Sequence, residues 1–268
     1  MPELPEVETI RRQLEPLVVG RTLGEAWAFP HPKFTPALEA SGSTVGGVAR
    51  RGKYLLLALD GGDRELIVHL GMTGSLRVRP AGDAGDAYVR AWWALDDGRG
   101  SALEYRDVRR FGRLAVAEGG RYAGTLAVQG PDALDPAFGP DDLWRALRSS
   151  RRAVKTQLLS QRPLAGVGNI YADEALWRAR IHPASRRVTR AQAADLLAAL
   201  REVMTGSIRY GGTTLTDYRT VEGRPGRNQQ RLEVYGQAGL PCPRCGTPLR
   251  SATLDARTAT WCPTCQRR

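Results

Sequence analysis

Two groups of residues in this 268-residue chain have the types and spacing to do chemistry. The first is the opening Met1-Pro2-Glu3-Leu4-Pro5-Glu6. Removal of the initiator Met ahead of the small Pro2 would leave a free secondary amine. An α-amino group has a pKa near ~8, far below that of a lysine, so a neutral and nucleophilic fraction exists at physiological pH. A secondary amine converts an aldehyde, such as that of an opened sugar, directly into a cationic iminium. Glu3 ties a carboxyl to the same place, where it could donate or accept a proton. A plainer role fits the same residues, because proline is common at position 2 and Pro5 suits the first turn of a helix.

The second group lies at the far end. Cys242-Pro-Arg-Cys245 and Cys262-Pro-Thr-Cys265 are two Cys-x-x-Cys knuckles sixteen residues apart, and they use all four cysteines of the chain. Four thiolates complete a tetrahedral zinc and leave no position for a water, so the metal would hold a fold rather than do chemistry. The alternatives are two disulfides or a redox dithiol. No secretory signal pattern opens the chain and no thioredoxin-like strand-helix context surrounds either pair, which favours one structural zinc and a reducing, cytoplasmic setting. Leu249–Leu254 and Thr258–Trp261 predict a hairpin with Asp255-Ala256-Arg257 at its tip, projecting Arg257 from a rigid platform.

Charge indicates what that platform faces. The net charge is +11, yet residues 1–140 hold 17 Lys and Arg against 18 Asp and Glu, while residues 141–268 hold 22 against 10. The excess therefore sits in the C-terminal half, where arginine suits bidentate phosphate contacts; solubility or an acidic protein partner would need the same charge. No apolar run approaches the twenty residues of a membrane span. The three histidines, His31, His69 and His182, stand in no spacing that suggests a triad or a catalytic metal.

The elements that must position these groups follow from periodicity. Pro5 to Leu17 places Val7, Ile10, Leu14 and Leu17 on one helical face, with Gly20 closing the helix. From about Gly46 to Val116 short strands alternate with turns: Tyr54–Leu59, Leu66–Leu70, Leu76–Val78, Val89–Leu95, Ala102–Tyr105 and Leu114–Val116. That spacing predicts an antiparallel sandwich or barrel. Leu126 to Pro140 is a Gly- and Pro-punctuated connection. Beyond it the pattern is helical at Leu143–Leu147, Val154–Leu159, Ile170–Arg178 and from Thr189, a candidate cap, to Gly211. The stretch Pro163-Leu-Ala-Gly-Val-Gly-Asn169 separates two of these helices, with Asn169 able to cap the second. Its amides could bind a phosphate, or it could be an ordinary inter-helix loop.

The blocks Pro2-Glu3-Leu4-Pro5-Glu6-Val7-Glu8, Arg51-Gly-Lys-Tyr54, His69-Leu-Gly-Met72, Arg109-Arg-Phe-Gly112, Gly166-Val-Gly-Asn-Ile-Tyr-Ala-Asp-Glu174, Gly211-Gly-Thr-Thr214, Val234-Tyr-Gly236 and the four cysteines together resemble bacterial formamidopyrimidine-DNA glycosylase. The resemblance runs from residue 2 to residue 266. It implies an α+β multidomain protein: an N-terminal β-sandwich with its helix over 1–125, a linker over 126–140, a helix-two-turns-helix domain over 141–233 and a zinc finger over 234–268.

The implied activity is removal of oxidised purines from double-stranded DNA, followed by strand cleavage at the abasic site, by a monomer. Pro2 would be the nucleophile, Glu3 the proton shuttle, and Lys53 would act near the lesion and its phosphate. Glu6 and Glu174 would be polar supports. Asn169 and Arg257 would grip the flanking phosphates, with Tyr235 assisting. Met72, Arg109 and Phe111 would fill the hole left by an extruded base.

Three places depart from the family pattern. Paired histidines are absent around Asp86-Ala-Tyr-Val89, Thr216 stands where a basic residue is frequent, and Arg227-Asn228 replaces an aromatic pair. These affect recognition more than chemistry, and the stretch Thr216 to Gln230 matches the loop that in the family closes over the flipped base. An endonuclease VIII-like enzyme for oxidised pyrimidines shares the nucleophile, but Leu4 stands where that branch carries Gly. A catalytically silent damage sensor would not need intact Pro2, Glu3 and Lys53.

Overall fold

The computed structural model describes residues 1–83 and 85–268. They form two compact units, Met1–Ala127 with Tyr210–Gln229, and Val128–Arg209 with Gln230–Arg268.

The first unit opens with helix α1 (Leu4–Val18), followed by strands β1 (Leu23–Ala28), β2 (Val45–Arg51), β3 (Tyr54–Leu59), β4 (Arg64–His69), β5 (Gly74–Arg79), β6 (Val89–Leu95), β7 (Ala102–Asp107) and β8 (Arg113–Glu118). The strands make two four-stranded antiparallel sheets, ordered β1-β6-β7-β5 and β2-β3-β4-β8. One core lies between them, built from Leu55, Leu57 and Leu59 of one sheet and Trp93, Leu103 and Tyr105 of the other. Alternate residues of a strand face opposite ways. Leu56 therefore points outward, yet it too is buried, against Ile67, Ala117 and Leu126. Cover on both faces explains why Tyr54–Leu59 is continuously apolar.

Helix α1 buries Val7, Ile10, Leu14 and Val18 completely. At roughly 1.5–3 kcal/mol for each large side chain, this packing outweighs any single hydrogen bond in holding the helix down. Leu17, expected on that face, is 44% exposed, because the buried stripe steps by four from Leu14 to Val18. Strand β1 has no counterpart in the strand pattern of the sequence, since Leu-Gly-Glu-Ala-Trp-Ala has weak strand propensity.

A short helix α2 (Gly124–Val128) ends the sandwich. The second unit carries α3 (Pro140–Arg148), α4 (Val154–Leu159), α5 (Asn169–Arg178), α6 (Arg190–Arg209) and the hairpin β9 (Arg250–Leu254) and β10 (Arg257–Trp261). Thr189 caps α6 as expected. Its hydroxyl accepts the Gln192 amide at 3.1 Å, and Gln192 Oε1 accepts the Thr189 amide at 3.0 Å, the reciprocal pair of a capping box.

Candidate active site and zinc finger

Pro2 and Glu3 are buried at the N-terminus of α1, with Glu3 only 3% exposed. Glu6 pins this start from two directions. Its Oε2 accepts the Glu3 amide at 2.9 Å and its Oε1 accepts the Thr213 amide at 2.7 Å. The Thr213 stretch is itself held by Asn228, whose side-chain amide donates to Thr213 Oγ1 at 2.9 Å and whose backbone amide donates to Gly212 O at 3.1 Å. Asn228 thus works as a polar brace between Thr213 and the backbone of Gly212. Tyr218 and Val221 enter the sandwich core, and Gln13 Oε1 accepts the Val221 amide at 3.1 Å. The Thr216 to Gln229 part of the loop is therefore folded onto the first unit. A cavity of about 260 Å³ lies beside it, lined by Arg77, Arg106, Asp217, Arg219 and Thr73 among others.

Lys53 is 7% exposed, in the two-residue turn between β2 and β3. Arg50 ties that turn to α1: its Nε donates to Glu8 Oε2 at 3.0 Å and its Nη1 to Gly52 O at 3.1 Å. His69 stacks on Tyr54 at 4.7 Å, and burial, assisted by the Lys53 and Arg113 charges, lowers its pKa to about 4. It is therefore neutral at pH 7. Sequence spacing gave no reason to place it beside Lys53, which strand pairing does.

Met72 lies in the β4–β5 loop, while Arg109 and Phe111 lie in the β7–β8 loop. Phe111 is 49% exposed and carries the Arg109 guanidinium 4.8 Å from its ring centre. The ring is therefore held outside the core with a cation on its face.

In the second unit, Glu174 gathers three successive amides, Glu233, Val234 and Tyr235, at 2.8–3.1 Å. Burial raises its pKa, against the pull of those amides. The carboxylate therefore fixes the backbone that carries Tyr235. Asn169 does not cap α5. Gly168 is the cap and Asn169 the first helical residue, with its Oδ1 buried and without a hydrogen-bond partner. The turns before it are filled by Gln161, whose side chain accepts the Gly166 amide at 2.9 Å and donates to Val167 O at 2.6 Å. No sequence pattern marked that glutamine.

Arg257 is exposed, but it is the first residue of β10, opposite Leu254, rather than part of the tip. The turn is Asp255-Ala256, both in the left-handed region at φ 48° and 62°. Two buried side chains hold the strand. Lys155 Nζ donates to Asp173 Oδ1 and to Thr258 O, each at 2.6 Å, and Asp173 Oδ2 accepts the Thr260 amide at 3.0 Å. Both are 1% exposed, and burial pushes the Asp173 pKa up to about 6 despite the ammonium. Removing one partner of such a pair costs about 3–5 kcal/mol, because the other charge is left alone in the interior. Lys155→Met should lower stability by that order in denaturant titration, and adding Asp173→Asn, which still accepts from Thr260, should restore most of it.

The four cysteine sulfurs all lie within 4.8 Å of one another, and Cys245 Sγ is 3.5 Å from Cys262 Sγ. Zn–S bonds of ~2.3 Å place tetrahedral sulfurs about 3.8 Å apart, so the cluster fits one zinc. None of the four is in a disulfide. The group binds one structural zinc, with no position open for catalysis. Trp177 Nε1 donates to Cys242 Sγ at 3.4 Å, joining the finger to α5.

A sandwich whose first helix starts on a buried Pro2-Glu3, a helical unit with consecutive turns and a four-cysteine finger define a DNA-repair glycosylase architecture. Family models for the formamidopyrimidine-DNA glycosylase N-terminal domain, its H2TH domain and the zinc finger found in FPG and IleRS match residues 1–114, 129–219 and 239–268. The chain belongs to the formamidopyrimidine-DNA glycosylase family. It is 46% identical over 272 residues to that enzyme of Thermus thermophilus, covering 99% of this chain and 98% of the relative. It is 43% identical over 280 residues to that of Deinococcus radiodurans, covering 99% and 97%. The crystal structure of the Thermus thermophilus protein superposes with a TM-score of 0.90 at 45% identity, covering 99% and 98% of the two chains. A Lactococcus lactis relative solved with DNA containing an abasic site gives 0.88 at 32% identity, covering 99% and 100%.

Proposed function

We propose that this chain is a bifunctional DNA glycosylase and abasic-site lyase of base-excision repair, acting on formamidopyrimidines and 8-oxoguanine in double-stranded DNA. The observation that carries the reading is the N-terminus. The Glu6 bond to the Glu3 amide is the helix's own capping box, but Glu6 also holds the Thr213 amide from a distant loop, and Glu3 is buried beside Pro2, which a cap alone does not require. Relatives matched along nearly their whole length bear the name formamidopyrimidine-DNA glycosylase, and Lactococcus lactis relatives were solved with DNA carrying Fapy-dG or an abasic site.

The Pro2 amine, freed by loss of Met1, attacks the anomeric carbon and displaces the damaged base. Glu3 protonates the ring oxygen as the sugar opens, leaving an iminium between Pro2 and the former anomeric carbon. The iminium acidifies the neighbouring C–H, and loss of that proton expels the 3′ phosphate; loss of a second proton, acidified through the conjugated iminium so formed, then expels the 5′ phosphate. Lys53 acts near the lesion and its phosphate, and Asn169, Tyr235 and Arg257 bind backbone phosphates. Met72, Arg109 and Phe111 occupy the gap in the duplex, and the cavity beside the 216–229 loop takes the extruded base. The protein works as a monomer at the bacterial nucleoid. Among the described residues no helix is long and apolar enough to cross a membrane.

Excision from matched duplexes containing 8-oxoguanine, a formamidopyrimidine, thymine glycol or an abasic site tests the substrate class. The purine lesions opposite cytosine should be favoured, and much faster processing of thymine glycol would make the purine assignment wrong.

A further inference from the structure

The β4–β5 loop and the β7–β8 loop both cross from one sheet of the sandwich to the other. They lie side by side, springing from the paired residues His69 and Arg113 on one sheet and Gly74 and Asp107 on the other. Their backbones touch. A Cβ on Gly71 would stand 2.4 Å from the Gly112 amide nitrogen, and one on Gly112 would stand 1.7 Å from the Tyr105 hydroxyl. No side chain larger than hydrogen fits at either position.

A polar pair stitches the contact. Asp107 is fully buried. Its Oδ1 accepts the Thr73 hydroxyl at 2.5 Å and its Oδ2 accepts the Gly112 amide at 2.8 Å. The Thr73 oxygen in turn accepts the Arg109 amide at 3.0 Å. Arg90, itself buried, holds Asp107 O at 2.9 Å from the far side. The residue after Met72 is thus bonded to the backbone of Arg109, and the carboxylate that completes the bond also holds the residue after Phe111.

We propose that Asp107 and Thr73 are positioning residues that lock the two loops into one preformed wedge, so that Met72, Arg109 and Phe111 enter the duplex as a unit. This rests on the assignment of those three as void-filling residues. Without the lock each loop would have to be ordered as it enters the stack, and that ordering would slow extrusion of the base. Chemistry on a site that is already unstacked would be untouched.

The experiment compares wild type, Asp107→Asn and Phe111→Ala. Excision of 8-oxoguanine from duplex DNA, cleavage of a single-stranded abasic oligonucleotide and fluorescence of 2-aminopurine placed beside the lesion are followed in parallel. Asp107→Asn should slow duplex excision and the 2-aminopurine signal by ~10–100-fold, the scale of small misplacements, while single-strand cleavage stays at the wild-type rate. Wild-type duplex excision by Asp107→Asn, or equal loss on both substrates, overturns the proposal. If Phe111→Ala itself excises like wild type, the void-filling assignment falls and takes the lock with it. Should Asp107→Asn not fold, the 2-aminopurine signal of Thr73→Val against Thr73→Ser decides: only the variant without a hydroxyl should be slow, and equal rates overturn the proposal.

Discussion

A chain carrying an uncleaved N-terminal extension should bind lesion-containing DNA and fail to cut it, with strand cleavage down on the order of 10³-fold or more. The extension turns the Pro2 nitrogen into a tertiary amide with no lone pair to offer. It need not disturb the fold, because Met1 is 48% exposed while Pro2 is buried behind it. Borohydride should trap the processed wild-type chain on abasic DNA by reducing the iminium to a stable amine, and the extended chain should give no adduct. Pro2→Gly is a softer test, since a primary amine in the same place keeps some lyase activity. Glu3→Gln should slow base release more than cleavage of abasic DNA, where the sugar already offers an aldehyde. Peptide mapping of the reduced complex is decisive: a cross-link on Lys53 in place of Pro2 would overturn the mechanism even with excision intact.

What made that site legible in the sequence was local. Pro2 and Glu3 are adjacent, the cysteines sit in two short knuckles, and the helical period of α1 and the short apolar runs Tyr54–Leu59 and Val89–Leu95 are visible within a few residues. Their supports are not local. Glu6 is fixed by Thr213 and Asn228, more than two hundred residues away in the chain, and nothing in a window around either end links them. Asp107 and Thr73 look like ordinary turn residues until two sheet crossings place them together. Lys155 and Asp173 look like surface charges on separate helices, and only packing against β10 makes them a buried pair. Periodicity also failed where a single residue decides phase, as at Leu17 and Val18, and at Asn169, where a polar residue next to a glycine looks like a cap but Gly168 takes the position.

Loss of one zinc ligand should do to the finger what loss of the amine does to the chemistry. The hairpin has little to stand on without metal. Strand β9 is almost wholly exposed, and an isolated two-stranded hairpin is marginal in water. Structural zinc supplies apparent binding energies of roughly 10–16 kcal/mol in small fingers, far more than the few hydrogen bonds that tie this one down. Cys245→Ser and Cys262→Ser should each drop zinc content well below one ion per chain and expose the β9 amides to hydrogen exchange. Strand β10 should resist longer, because Lys155 and Asp173 hold Thr258 and Thr260 independently of the metal. DNA affinity should fall as Arg257 loses its platform, with the chemical step on bound abasic DNA less affected, since zinc has no open position for a reacting group. Full zinc content together with wild-type affinity in both variants would refute a single four-cysteine site. Protection lost equally in β9 and β10 would mean that the metal, rather than the buried ion pair, holds the strand that carries Arg257.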